Sequence, residues 1–223
     1  MHGDGFMNIL QCWDDGLVSD LRLVDLLRCY RAKATFCLNP GLYRDERSFG
    51  WLHEGIEVWR LGIHELRGVY EGFEICNHSM THPYLTNLTG SRLDWEINVS
   101  RDLLEKLFQK PIHGFCYPFN AYDDTVINAL RSAGYLWARC GQNGEHVFPP
   151  ADPLKFHPHC HFLDPDFWQK YDRAKETEEE VFLFWGHSYE LVSEAMWDNF
   201  EHLIEGIFSD GAVEWSFIDD LFV

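Results

Sequence analysis

The chain has 223 residues, 46% of them hydrophobic and 24% charged, which fits one globular domain with a sizeable core. Acidic residues outnumber basic ones 36 to 18, for a formal net charge of −18, a surface that repels phosphate backbones and anionic lipid and so argues against nucleic acid and membrane surfaces as partners. There is no long apolar run to span a bilayer, no basic-then-apolar leader at Met1-His2-Gly3-Asp4-Gly5-Phe6 and no Cys-x-x-Cys pair among the seven cysteines, so a reducing, cytoplasmic setting is expected.

Residues 1–6 read as an N-terminal extension of a single domain spanning the chain. Asn8 to Trp13 reads as a buried strand, and Leu23, Leu26, Leu27 and Tyr30 follow at helical spacing, with Ser19 or Asp20 placed to cap them. Ala34 to Leu38 is a second strand stopped by Asn39-Pro40-Gly41; Ile63 to Tyr70 looks helical and Phe73 to Cys76 extended. A long helix is predicted from Arg92 to Phe108, with Ser91 and Asp94 in a capping-box pattern and Pro111 after it. Next come a strand at Ile112 to Tyr117, a helix capped by Asp123 and stopped by Gly134, and a strand at Tyr135 to Arg139. Val181 to Gly186 and Val213 to Phe217 are the last strand candidates, with a helix over Glu194 to Phe208 between them. Residues 39–62 and 141–170 are poor in regular pattern, as segments that shape a site often are. The alternation predicts an α/β architecture, a closed or nearly closed (β/α) barrel of about seven strands, with a doubly wound open sheet as the competing topology.

Four short motifs fall at predicted strand ends, where α/β folds bind ligands. Asp14-Asp15-Gly16 sets two carboxylates side by side, and their mutual repulsion calls for a metal, an arginine or solvent; alone, Asp-Gly is an ordinary turn former. His78-Ser79-Met80-Thr81-His82-Pro83 places two histidines four apart, on one face of a helical turn. One carboxylate with two imidazoles suits a divalent ion, Zn²⁺ first and Co²⁺, Ni²⁺ or Mn²⁺ as alternatives, with positions left for water and substrate. The strand ends Phe115-Cys116-Tyr117-Pro118-Phe119-Asn120 and Phe184-Trp185-Gly186-His187-Ser188 complete the set; each has a bland reading alone, and the four together do not.

This order of motifs resembles the polysaccharide deacetylases, the NodB-homology carbohydrate esterases, over nearly the whole chain. Cys12-Trp13-Asp14-Asp15-Gly16 matches the first motif at its last three positions, and Asn77 to Pro83 matches the second closely. The resemblance implies a distorted (β/α) barrel and a metal-dependent hydrolase that removes an acetyl group, N-acetyl before O-acetyl, from a carbohydrate. It implies Asp15, His78 and His82 as metal ligands, Asp14 as general base and His187 as general acid. It further implies that Trp185 walls the acetyl methyl and that the backbone N–H of Phe119, beside Tyr117, faces the oxyanion.

Two departures stand out. Many family members carry an arginine two residues before the third-motif proline; that position is Cys116, and Arg139 at the next strand end is the expected substitute partner of the base. The familiar Asp-Trp motif is absent, and His157-Pro158-His159-Cys160-His161 stands in that region, its three histidines sharing a face if the segment is a strand. These residues read as a second metal site, a substrate-facing role for His161, orientation of His187 by a carboxylate such as Asp164, or scattered loop histidines. Trp51, Trp59, Trp168 and Trp185 are candidates for a sugar-stacking platform. An intermediate of surface polysaccharide or O-antigen assembly fits a cytoplasmic setting. An amidohydrolase acting on a non-sugar amide or cyclic imide, and a catalytically silent glycan-binding relative, remain open alternatives.

Overall fold

The computed structural model describes residues 6–141 and 146–222, so the expected extension at 1–6 lies, but for Phe6, outside the described residues. In chain order the first half comprises β1 (Met7–Asp14), α1 (Asp20–Cys29), β2 (Thr35–Leu38), β3 (Ser48–His53), β4 (Ile56–Arg60), α2 (Leu66–Val69), β5 (Glu74–Asn77), α3 (Gly90–Asp94) and α4 (Ser100–Phe108). The second comprises β6 (Gly114–Cys116), α5 (Asp124–Ala133), β7 (Trp137–Arg139), β8 (Cys160–His161), α6 (Phe167–Glu176), β9 (Val181–Gly186), α7 (Glu194–Phe208), β10 (Val213–Trp215) and α8 (Asp219–Phe222).

Eight strands form one parallel sheet in the order β7-β6-β5-β2-β1-β9-β8, with β10 added beside the start of β1. The segment 156–161 reaches both edges: Phe156 bridges Arg139, and Cys160 and His161 pair with Phe184 and Trp185 of β9. The sheet therefore curls into the expected distorted barrel, the open doubly wound alternative being excluded. All seven predicted strands are present; within this sheet the short β8 is the addition.

Alternation along β1 shows how this frame carries a site. Ile9 and Trp13 face outward into the layer of Leu23, Leu27, Phe200 and Ile204 from α1 and α7. Leu10 and Cys12 face inward, and Asp14 continues that inward series at the strand's end. Cys12, Cys37, Cys76 and Cys116 pack there with Trp137 and Phe156, small buried groups that leave room for Trp137 and, above it, the Arg139 guanidinium. Of the seven cysteines, Cys29 alone is exposed.

Several local expectations are corrected by geometry. The Asp123 carboxylate does cap α5, accepting from Val126 N at 2.9 Å, and Gly134 ends it at φ 80°. The Ser91–Asp94 box does not form: Thr89 is the N-cap residue, without a side-chain bond, and α3 runs through a π-helical turn at Trp95–Val99 into α4. Nor does Ser19 cap α1, because its hydroxyl is engaged by Ser188 Oγ at 2.7 Å. The stretch 39–62 is not irregular throughout; β3 and β4 form an antiparallel hairpin with a register shift between Phe49 and Trp51. No helix among the described residues is long and apolar enough to cross a membrane.

Candidate active site

The strand ends open into a cleft of about 610 Å³ lined by Asp14, Asp15, His78, His82, Phe119, Arg139, Trp185 and His187, with Trp51, Arg60 and Tyr189 on the hairpin side. Five of the nine described non-glycine residues with positive φ sit here: Asp15 (83°), Ser79 (66°), His82 (57°), Phe119 (55°) and Asn120 (54°). Backbone held in this region costs roughly 1–3 kcal/mol per residue and persists where surrounding structure imposes it. At Asp15 the imposing contacts are its own N–H on Cys37 O at 3.0 Å and the Tyr43 hydroxyl donating to its carbonyl at 2.9 Å. Gly16 is required beside it, since a side chain there would meet that hydroxyl.

Asp15 Oδ1 lies 4.0 Å from His78 Nε2 and 3.9 Å from His82 Nε2, and the three ligand atoms share a span of 4.8 Å. His78 Nδ1 donates to Cys116 O at 2.8 Å, which leaves the Nε2 lone pair facing Asp15. Burial and the neighbouring His78 lower the His82 imidazole to about 4, so it is neutral. One carboxylate and two imidazoles converging in this way fit a divalent cation.

The loop that sets the histidine pair is pinned from below. Asn39 Nδ2 donates to the carbonyls of His78 and Ser79, and Ser79 Oγ accepts from His82 N at 3.0 Å. Glu96, delivered by the π-helical turn, accepts from Thr81 N at 2.9 Å and Thr81 Oγ at 2.6 Å. Neither Asn39 nor Glu96 was visible as a site residue in the sequence, since each acts through backbone it does not adjoin.

Asp14 and His187 line the same cleft as the three donors. Arg139 Nη2 donates to both Asp14 oxygens, at 2.6 and 2.5 Å, and its guanidinium lies over the Trp185 ring at 4.9 Å. Cys116 and Arg139 are direct cross-strand partners, which is why an arginine on β7 reaches the place a β6 side chain would occupy. Burial raises the Asp14 carboxyl, and Arg139 opposes that without cancelling it. His187 Nδ1 is 3.2 Å from Glu190 Oε2, which also accepts from His187 N at 2.9 Å and meets His161 Nε2 at 3.0 Å. Burial would lower the His187 imidazole; the Glu190 hydrogen bond and the charges of Asp14 and Asp15 outweigh it and raise it to about 9.

Glu190 thus occupies the position the sequence reading offered to Asp164, which instead pairs with Lys170 at 2.5 Å. The signal for Glu190 was its spacing, three residues after His187 at a strand end. The three histidines of 157–161 do not share a face: β8 is two residues long, His161 turns to Glu190, and His159 turns to Glu179 and His146. Tyr117 stands at the cleft wall with its hydroxyl committed to Leu154 O at 2.8 Å. The Phe119 ring is half exposed and stacks on Tyr84 at 4.2 Å. Of the tryptophans, Trp51 and Trp185 line the cleft; Trp59 and Trp168 do not.

A sequence model of the polysaccharide deacetylase family matches residues 5–138. The chain belongs to the polysaccharide deacetylase family. Within that family it is similar to a peptidoglycan-N-acetylglucosamine deacetylase from Bacillus cereus, at 30% identity over 120 residues that cover 52% of this chain and 49% of the relative. The chain therefore spans about half the length of that relative. The fold is similar to a polysaccharide deacetylase from Bacillus cereus (TM-score 0.53, 22% identity, 66% of this chain and 44% of that one). It is also similar to the peptidoglycan deacetylase PdaC from Bacillus subtilis (TM-score 0.59, 17% identity, 99% and 92%). The family match ends at Ala138, so Arg139, His161, His187 and Glu190 of this deacetylase-family chain lie beyond it.

Proposed function

We propose that this chain is a metal-dependent hydrolase that removes an acetyl group, N-acetyl before O-acetyl, from a carbohydrate. The observation that carries the reading is convergence: three donors, Asp15, His78 and His82, share one cleft with a buried carboxylate held by arginine and a histidine held by carboxylate. A divalent ion bound by those donors, Zn²⁺ first and Co²⁺, Ni²⁺ or Mn²⁺ as alternatives, supplies Lewis-acid polarisation of the acetyl carbonyl and of water.

The chain's own groups do the rest. Asp14 accepts the proton of the attacking water, its basicity raised by burial and its aim fixed by Arg139. His187, kept protonated by Glu190, donates to the leaving amine or alkoxide. The Phe119 N–H, in a left-handed turn at the cleft wall, is assigned to the developing oxyanion, a contribution of about 3 kcal/mol for one well-placed donor. Trp185 walls the acetyl methyl, Tyr117 holds the turn before Phe119, and His161 acts on His187 through Glu190.

The substrate class is an acetylated sugar or glycan, with an intermediate of surface polysaccharide or O-antigen assembly as the narrower assignment. The test is metal analysis paired with acetate release from acetylated sugars and oligomers. Bound divalent metal is expected, with acetate release lost on chelation and restored by metal. Undiminished release from metal-free protein, or none from any acetylated sugar with metal bound, overturns the reading.

A further inference from the structure

The hairpin β3–β4 brings to the cleft a group that the mechanism above leaves idle. Arg60 lines the cleft at the end of β4, half-buried, with its guanidinium 5.1 Å from the Trp51 ring. Among the described residues it makes no ion pair, and its Nε–H is buried without an acceptor. The other arginine of the cleft, Arg139, is consumed by Asp14. In a chain with twice as many acidic as basic residues, partners for a cation are plentiful. The acids of the hairpin nevertheless leave Arg60 alone, Glu57 accepting instead from Trp59 Nε1 at 3.0 Å.

Arg60 is also coupled to the reacting centre. Trp51 packs edge-on against Tyr189 at 5.2 Å, and Tyr189 lies 5.0 Å from the His187 ring. A sugar whose acetyl group sits between Asp14 and His187 thus has this aromatic wall at its side and the guanidinium beyond it. A planar guanidinium seated on an indole keeps its terminal donors pre-organised for a carboxylate or phosphate in the cleft.

We propose that Arg60 is a specificity residue that binds an anionic group, carboxylate or phosphate, carried by the acetylated sugar. The inference rests on the deacetylase reading and narrows it: the substrate carries a single localised negative charge near the acetylated ring. That is compatible with the −18 surface, which disfavours a polyanionic polymer and not one charge met by a dedicated cation.

The test measures acetate release by the full, metal-loaded chain from N-acetylglucosamine, its 1-phosphate and its 3-O-lactyl ether (N-acetylmuramic acid). Wild type is expected to favour one charged sugar, and which one distinguishes phosphate from carboxylate. The charged-to-neutral ratio of kcat/KM is expected to fall by ~10-fold or more in Arg60→Gln, mainly through KM, and to be partly restored in Arg60→Lys. Calorimetric binding of the same three sugars to wild type and Arg60→Gln reads the same ratio without turnover. It therefore separates failure of the Arg60 assignment from failure of the hydrolase reading. Equal handling of all three sugars by wild type, or a ratio unmoved by Arg60→Gln in both assays, overturns the proposal.

Discussion

Three clusters among the described residues pair two histidines with a carboxylate; beside His161 and His187 with Glu190, the other two are Asp15 with His78 and His82, and Glu179 with His146 and His159. By composition they are equivalent, each one carboxylate and two imidazoles. Their outer hydrogen bonds are not equivalent. His78 Nδ1 faces a carbonyl, Cys116 O, so the proton sits there and Nε2 is free. His159 Nδ1 instead accepts from Leu183 N at 3.0 Å, which forces the proton onto Nε2, where it is donated to Glu179 at 2.9 Å. A cation at His159 Nε2 would have to displace that proton against a backbone N–H that already occupies the other nitrogen. The donors of the first cluster are therefore free to meet a cation while His159 in the second holds a proton, and the atom that decides is one bond beyond the ring nitrogens that face the carboxylate.

Substitutions that break or sharpen this contrast fall in a clear order. His78→Ala is expected to lose bound metal and to lower acetate release by on the order of 10³-fold, read by metal analysis and turnover together. Asp14→Asn should lower kcat by ~10²- to 10⁴-fold while leaving metal content at the wild-type value, since Asp14 lies outside the three-donor set. Glu190→Gln acts on a proton, not a metal. Removing the carboxylate that helps raise His187 to about 9 moves the alkaline limb of the rate–pH profile to lower pH, because the acid form is then lost earlier. A displacement of about one pH unit is expected, and an unmoved limb would show that Glu190 does not set the acid. The smallest effect belongs to His159→Ala, for which metal stoichiometry and acetate release should match wild type, with a loss of thermal stability of about 1 kcal/mol from the Glu179 pair. A metal content halved in that variant would erase the distinction between the two clusters.

Much of this was legible in the sequence because its pieces are local. Strands buried on both faces appear as continuous apolar runs; Asp14, Asp15, His78 and His187 stand at the ends of such runs, and His82 follows four residues after His78. The N-cap at Asp123 and the stop at Gly134 were readable for the same reason. What escaped is non-local or out of period. The hairpin's alternation is broken where Phe49 and Trp51 change register, so neither period shows in 48–60, and Arg60 is hidden with it. Glu96 sits in a π-helical turn that takes it out of step with a regular helix, and its task is performed on Thr81, far away in sequence. Glu190 is hidden because several acids surround the late histidine in sequence, and only the backbone turn decides which of them faces it.

The cross-strand pairing of Cys116 with Arg139 has a wider consequence. In a parallel ladder the two side chains project into the same volume, so a catalytic charge can migrate from one strand to its neighbour without changing where the charge ends up. A motif that looks broken in one line of sequence is then intact in space. Exchanging the two identities, Cys116→Arg together with Arg139→Cys, should rebuild the site from the opposite side of the seam, with each single change harmful and the pair far less so.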